Sequence, residues 1–320
     1  MSFSEPCALA VDFGGTSIKM GVTAGDRILA TADRIPTAMF ESPQAIIDAM
    51  IASARTLRGQ FPSVCVMGMG MPGWCDYQRG VLYQLTNVRV WDREIPVKEM
   101  MEQALGLPVV LDNDANCMAY AEWKLGAGKG KRHLVCLTLG TGVGSGLIVN
   151  GELLRGATCS AGELGQTSID YRGRLGHYGN RGSLEDYVGN REIAADARTL
   201  YASHGIDKAI VDCNPISLER AALAGDEVAE QVWRDLAVKL SCALMNCCYL
   251  LNPEAIIIGG GVAKARTLLF QPLQEIMKTQ LAAPLVEYLE ILPAQFGTEA
   301  GILGAAHLAL NTHFGETFRA

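Results

Sequence analysis

The chain has 320 residues, 49% hydrophobic and 19% charged, with a formal net charge of −7; it is longer than one ordinary domain of roughly 100–200 residues, so two are expected. The acidic balance argues against a broad nucleic-acid-binding surface, no stretch is long and apolar enough to span a membrane, and the start MSFSEPCALAVDFGG lacks the basic n-region of a signal peptide. Ten cysteines, none in a CxxC pair and several inside apolar runs (Cys136, Cys242, Cys247), read as buried thiols in a reducing compartment, so a cytoplasmic location is expected.

In chain order, Leu9 to Val11 is an apolar strand that leads to Asp12, a Gly14-Gly15-Thr16 turn, and a second strand through Ile18, Met20 and Val22. Asp26 to Ala32 completes a meander. Ser42 reads as the cap of a helix whose apolar face carries Ile46, Ile47, Met50, Ile51 and Ala54. Val64 to Met69 is a buried strand that ends at Gly70-Met71-Pro72-Gly73, and Asn87 to Trp91 lies in a loop before a short helix, Val97 to Leu105. Pro108 to Leu111 is a strand that runs into Asp112-Asn113-Asp114, after which 115–125 has a helical pattern. Residues 126–133, GAGKGKRH, read as a flexible basic connection; neither lysine is followed by the Ser or Thr that a P-loop needs.

The strand–glycine–strand design then recurs. Leu134 to Leu139 breaks at Gly140, Gly142, Gly144 and Gly146, resumes as Leu147 to Val149, and turns at Asn150-Gly151. Residues 152–190 form a long stretch rich in Gly, Arg and Tyr, of a length that signals function or disorder. Helices are expected at 190–204, 215–224 and 225–250, followed by a buried strand Ala255 to Ile258 ending in Gly259-Gly260-Gly261, a helix near 264–281 and a strand at 287–292. A last helix, Glu299 to Leu310, opens with the small residues GILGAA that allow close packing.

Two glycine hairpins, one near the start of each half, point to a duplicated α/β architecture closing around a phosphate-bearing ligand. Turns of backbone N–H groups, with the Thr138 and Thr141 hydroxyls, suit phosphate oxygens. Asp12, at the position of Thr138 in the other copy, makes sense beside a phosphate loop if a metal ion lies between them. Asp114 stands at a strand end, where ligands sit in α/β sheets, and can take a proton from a substrate hydroxyl. Helix capping is the competing reading of Asp112, Asn113 and Asp114. Glu163 and Glu185, on the long 152–190 stretch, join Asn87, Asn113 and Asp114 in a set with the donors and acceptors a polyol requires.

These segments resemble the ROK family of bacterial sugar kinases and repressors. AVDFGGTSIKMGV is similar to its first phosphate loop, GMGMPGWCD and LTNVRVW to its sugar-side segments, LDNDANCMAYAEW to its catalytic segment, and TLGTGVGSGLIVNGELLRGATCSAGELG to its signature. IIIGGGV and GTEAGILGAAHLAL match its C-terminal elements, so the resemblance covers nearly the whole chain in order.

The resemblance implies the actin-like/hexokinase ATPase fold: two α/β lobes of a duplicated ribonuclease H-like motif, with a cleft between. A small lobe is expected over 1–115, completed by a C-terminal helix at 302–320, and a large lobe over 116–301. The implied activity is phosphoryl transfer from ATP with Mg2+ to a hexose, with glucose first and fructose, mannose, allose, N-acetylglucosamine or N-acetylmannosamine as alternatives. Asp114 becomes the general base. Asn87, Asn113, Glu163, Gln166 and Glu185 become sugar contacts; Gly14, Gly15, Thr16, Lys19, Gly140, Thr141 and Gly142 hold phosphates, with Asp12 near magnesium; Gly260 and Gly261 lie near adenosine. A homodimer without nucleic-acid or membrane partners is the family expectation.

One departure stands out. The structural zinc usual in the family is held by the His of a GEIGH-type motif and three cysteines of a CxCGxxGC motif. Here those positions are Gln166, Gly176, Tyr178 and Ser183, none of them a thiolate or imidazole, so no zinc is expected. Ion pairs of Arg172, Arg174 and Arg181 with acids are the expected substitute. The alternatives are a sugar-sensing repressor, disfavoured because the first phosphate loop begins within a dozen residues of Met1 and leaves no space for a helix-turn-helix, a non-catalytic sugar-binding protein, and a kinase that uses polyphosphate.

Overall fold

The computed structural model describes residues 6–83, 85 and 88–315. Contacts divide the chain into two units, one of 1–129, 153–161 and 298–320, the other of 130–152 and 162–297. Among the described residues no helix is long and apolar enough to cross a membrane.

The first unit begins with the antiparallel meander β1 (Cys7–Phe13), β2 (Ser17–Ala24) and β3 (Arg27–Thr31). Ser42 caps α1 (Pro43–Gln60) as expected, its Oγ accepting from the Ala45 N–H at 3.2 Å. Then come β4 (Val64–Met71), α2 (Val97–Leu105), β5 (Val109–Asn113) and α3 (Asp114–Lys124). The sheet order is β3-β2-β1-β4-β5, antiparallel in the meander and parallel from β1 to β5. Strand alternation separates two cores. Cys7, Leu9, Val11 and Phe13 of β1 join the side that carries α1 and α2, whereas Ala8 and Ala10 face the opposite cluster with Cys117 and Tyr120 of α3.

The second unit repeats the plan: β6 (Leu134–Leu139), β7 (Val143–Val149), a two-residue strand Glu152–Leu153 whose second residue already counts with the first unit, α4 (Asn190–Ser203), α5 (Pro215–Leu223), α6 (Glu227–Leu251), β8 (Ala255–Gly260), α7 (Thr267–Gln280) and β9 (Glu290–Pro293). Its sheet runs from Glu152–Leu153 through β7, β6 and β8 to β9, again a meander followed by parallel pairs. Asp226 caps α6 by accepting from the Val228 and Ala229 N–H groups.

The last helix, α8 (Ala300–Phe314), returns to the first unit. Its small residues do what the sequence suggested. A Cβ on Gly304 would lie 1.7 Å from the Cys117 carbonyl oxygen of α3, and one on Gly68 of β4 would lie 1.9 Å from the Ala305 carbonyl oxygen. Bare backbone at both positions seats α8 against helix and strand.

The unit boundaries differ from the sequence reading, the last segment of the first unit starting at 298 where 302 was expected. The first unit runs to Lys129 instead of ending near 115, because α3 packs on α8, and it also takes in 153–161. The 126–133 connection is tied down. The buried Glu122 carboxylate accepts from the Ala127 N–H, its carbonyl accepts from Gly126 and Gly128, and Lys131 pairs with Glu290 at 2.6 Å.

Candidate active site

In the first unit the register of the parallel strands sets three acids near one sheet end. Asp12 pairs with Gly70, and Gly70 with Asp112, so Asp12 and Asp112 share a row across β1, β4 and β5. Gly70 between them lets α3 come close: a Cβ there would stand 3.3 Å from the Cys117 sulfur and 3.5 Å from the Asp114 Cα.

The three residues Asp112, Asn113 and Asp114 divide their work. Asn113 is the cap: its Oδ1 accepts from the Ala115 and Asn116 N–H groups at 2.9 and 3.2 Å, while its Nδ2 donates to the Gly73 carbonyl at 3.0 Å. Asp112 is buried. Its Oδ1 accepts from the Asn113 N–H and the Asn116 Nδ2, both at 2.8 Å, and its Oδ2 accepts from the Arg155 Nε at 2.7 Å. The Arg155 guanidinium in turn lies 4.3 Å over the Tyr77 ring. Asp114 opens α3, with Oδ1 accepting from the Ala115 N–H at 2.9 Å. Burial, followed by the nearby charges of Asp112 and Asp114, pushes the Cys75 thiol far above its usual range, so Cys75 stays protonated beside them.

Asp12 is half-buried, paired with Lys19 at 2.7 Å. Gly301 of α8 comes against it: a Cβ there would be 2.6 Å from the carboxyl carbon. The Gly14-Gly15-Thr16 turn is braced by Thr37, whose Oγ1 donates to the Gly15 carbonyl at 2.7 Å and whose N–H donates to the Thr16 carbonyl. Lys19, expected on phosphate, is thus the partner of Asp12. Asn87 lies outside the described residues.

In the second unit the β6–β7 turn at Gly140-Thr141-Gly142 adjoins the end of β8, where Gly260 pairs with Leu139. Gly260 has φ +87°, and a Cβ there would lie 2.2 Å from the Leu139 carbonyl oxygen, so glycine is required twice over. The ideal Cβ positions of Gly140 and Gly261 have no atom within 4 Å, which leaves open space at both turns.

Glu185 braces this turn. Its Oε2 accepts from the Val143 N–H at 2.8 Å and sits where a Gly142 side chain would be, and its Oε1 accepts from the Gln166 Nε2 at 3.3 Å. Glu163 begins the turn Leu164–Gln166, which Ser145 anchors by donating to the Gly162 carbonyl and accepting from the Leu164 N–H. Tyr178 belongs to the same group. Its hydroxyl is pushed up by burial and then by the charges of Glu163 and Glu185, although the residue is 54% exposed.

Of the residues aligned with the family's zinc ligands, Gly176 and Ser183 come together, and Asn180 links Ser183 to Gln166. A Cβ on Gly176 would lie 2.6 Å from the Ser183 Oγ, and Asn180 donates to both the Gln166 carbonyl and the Ser183 Oγ at 2.8 Å. These are oxygens and amides, a donor set that does not fit zinc. The arginines do only part of the expected job. Arg174 pairs with Asp196 and stacks 4.5 Å over Tyr187, but Arg181 donates to the Gly173 carbonyl and Arg172 lies 5.0 Å over the Tyr171 ring.

A profile of the ROK family matches residues 8–312. The chain belongs to the ROK family. Glucokinase from Streptomyces coelicolor is 34% identical over 315 residues, covering 94% of this chain and 96% of the relative. A β-glucoside kinase from Listeria monocytogenes is 30% identical over 301 residues, covering 93% and 95%. Among solved structures, a ROK family glucokinase from Streptomyces griseus in complex with glucose and AMPPNP aligns with TM-score 0.80 and 32% identity over 95% of this chain and 99% of that one. The fold is therefore the actin-like/hexokinase ATPase fold of the ROK sugar kinases.

Within this ROK chain, the sequence reading did not mark Arg155 or Asn180, and it named Tyr178 only as a position where the family has a zinc ligand. Each acts through a partner distant in sequence: Arg155 through Asp112, Asn180 through Gln166, and Tyr178 beside Glu163 and Glu185.

Proposed function

We propose that the chain is an ATP-dependent hexose kinase, with glucose as first substrate. The observation that carries this reading is the end of β5, where Asp114 opens a helix capped by Asn113 and backed by the Asp112–Arg155 pair. A carboxylate so placed takes the proton of the attacking sugar hydroxyl.

Phosphoryl transfer rests on positioning and on charge stabilisation. Asn113 and Asp114 in the first unit, with Glu163, Gln166 and Glu185 in the second, are proposed to orient the hexose. The N–H groups of Gly15 and Thr16, and those of Thr141 and Gly142, are proposed to cradle phosphates, while Gly14 and Gly140 shape the two turns by donating to the Ser17 and Gly142 carbonyls. Gly261, with open space beside it, is proposed to border adenosine together with Gly260. Asp12 is a single carboxylate, the kind of partner magnesium uses when phosphates and waters complete its shell; bound Mg·ATP supplies the phosphoryl group and offsets its charge. Lys19 holds Asp12 in place by its ion pair.

A cytoplasmic location and a homodimer belong to the same proposal. The thiols of Cys75, Cys117, Cys247 and Cys248 are all pushed up by burial, as suits a reduced state, and α6 exposes Val238, Tyr249 and Leu250. A coupled ADP-release assay across glucose, fructose, mannose, allose, N-acetylglucosamine and N-acetylmannosamine, with ATP and with polyphosphate as donors, tests the reading. ATP-dependent turnover on one hexose, highest with glucose, is expected; turnover on none overturns it.

A further inference from the structure

Three oxygens converge on Gly176. An ideal Cβ on that residue would lie 2.6 Å from the Ser183 Oγ, 2.8 Å from the Asn180 Oδ1 and 2.8 Å from the Asp186 Oδ2. Gly176 does not have positive φ, so its glycine answers to these oxygens and not to backbone conformation. Asn180 Oδ1 and Asp186 Oδ2 are both buried, and neither accepts a hydrogen bond from any described group. Two buried acceptors left without donors would be costly.

The surrounding donors are already committed. Both hydrogens of the Asn180 amide are spent, on the Gln166 carbonyl and the Ser183 Oγ. The Asp186 N–H goes to the Ser183 carbonyl and the Gly176 N–H to the Asn180 carbonyl. What remains is one hydroxyl proton, on Ser183, and two acceptors.

We propose that one buried water occupies this niche and that the resulting knot of Gly176, Asn180, Ser183 and Asp186 does the work of a metal in this loop, by positioning Gln166 and Glu185. A water donates two hydrogen bonds, to Asn180 Oδ1 and Asp186 Oδ2, and accepts one from the Ser183 hydroxyl, which satisfies every group left over. A hard cation fits worse, since calcium takes six to eight oxygens and the niche offers three, only one of them charged. Through Asn180 the knot fixes the Gln166 backbone, and Gln166 holds the Glu185 carboxylate that also braces the β6–β7 turn. Asn180 is thus a positioning residue for the hexose contacts. This last step rests on the proposed kinase function; the occupied niche does not.

The test has two arms. In the first, sugar-free protein is unfolded thermally with chelator and with added zinc, calcium or magnesium, and a high-resolution crystal structure is examined at Gly176. An unmoved midpoint and one water peak within hydrogen-bond reach of the three oxygens are expected; a midpoint raised by a cation, or an empty niche, overturns the water.

In the second arm, Asn180→Ala and Ser183→Ala are compared with the native enzyme. Asn180→Ala should raise the hexose KM about tenfold, the effect of losing one or two buried hydrogen bonds, with the ATP KM within about twofold. Ser183→Ala should move it in the same direction by less. Amide exchange should quicken over 164–186 in Asn180→Ala and stay unchanged in α6. Unchanged hexose KM and exchange, or losses spread evenly over hexose, ATP and α6, would overturn the positioning role. A native protein that phosphorylates no hexose would sink the kinase reading alone, and the niche and exchange measurements would still decide the rest.

Discussion

Glu185 and Glu163 looked alike in the sequence, two acids in one glycine-rich stretch, and the structure gives them different surroundings. Glu185 spends one oxygen on the Val143 N–H beside the glycine turn and the other on Gln166. Glu163 sits exposed at the head of a turn. Glu185→Gln is therefore expected to raise the KM for both ATP and hexose, because one amide cannot accept at both positions, whereas Glu163→Gln raises the hexose KM alone. Steady-state kinetics with each substrate varied separates the two; equal behaviour would contradict the bracing role. Arg155 gives a stability test at the same scale. The Asp112 side chain is 3% exposed, so Arg155→Ala leaves a buried charge without its partner and should cost about 3–5 kcal/mol. Urea unfolding measures it, and the double variant with Asp112→Asn should lose less than the sum of the single changes.

Helix α8 shows how an element imposes its own constraints. Gly304 meets the Cys117 carbonyl with no space for a side chain, so Gly304→Val should separate α8 from α3 and cost on the order of 3 kcal/mol or more, read as a lower urea midpoint. His307 of the same helix titrates low, first because burial disfavours its charged form and then because Lys124 repels it, with Asp26 opposing. The unfolded chain thus binds a proton that the folded chain resists, so stability is full above the ordinary histidine range and falls as pH drops through it toward the folded value. His307→Leu should flatten that part of the profile in melts between about pH 7.5 and pH 5; an unchanged slope would assign the loss to other groups.

Across the whole molecule, what the sequence made legible was local or repeated. The two glycine hairpins announced two sheets of one plan, and the structure shows both as a meander followed by parallel strands. Helix α2 falls on Val97–Leu105 as the sequence pattern suggests, and Asn113 caps α3, so capping, the competing reading of Asp112, Asn113 and Asp114, holds for one of the three. Less legible was whatever depends on pairing across distance. Residues 153–161 follow a strand of the second unit yet belong to the first, where Arg155 reaches Asp112, 43 positions earlier. The 152–190 stretch offered no period to read, because it is ordered by scattered turns and side-chain bonds such as those of Asn180. Lys19 could be placed near phosphate by likeness, but its ion pair with Asp12 follows only from the register of β1 and β2.

The proposed function turns on Asp114 taking the proton of the sugar hydroxyl during transfer from ATP. Its most direct test is a single-turnover measurement of labelled γ-phosphate transfer to the preferred hexose by the native protein and by Asp114→Asn, with sugar affinity measured separately by calorimetry. With Asp114→Asn, transfer should slow by about 10²–10⁴-fold while the sugar still binds; transfer at near-native rate would rule Asp114 out as the base.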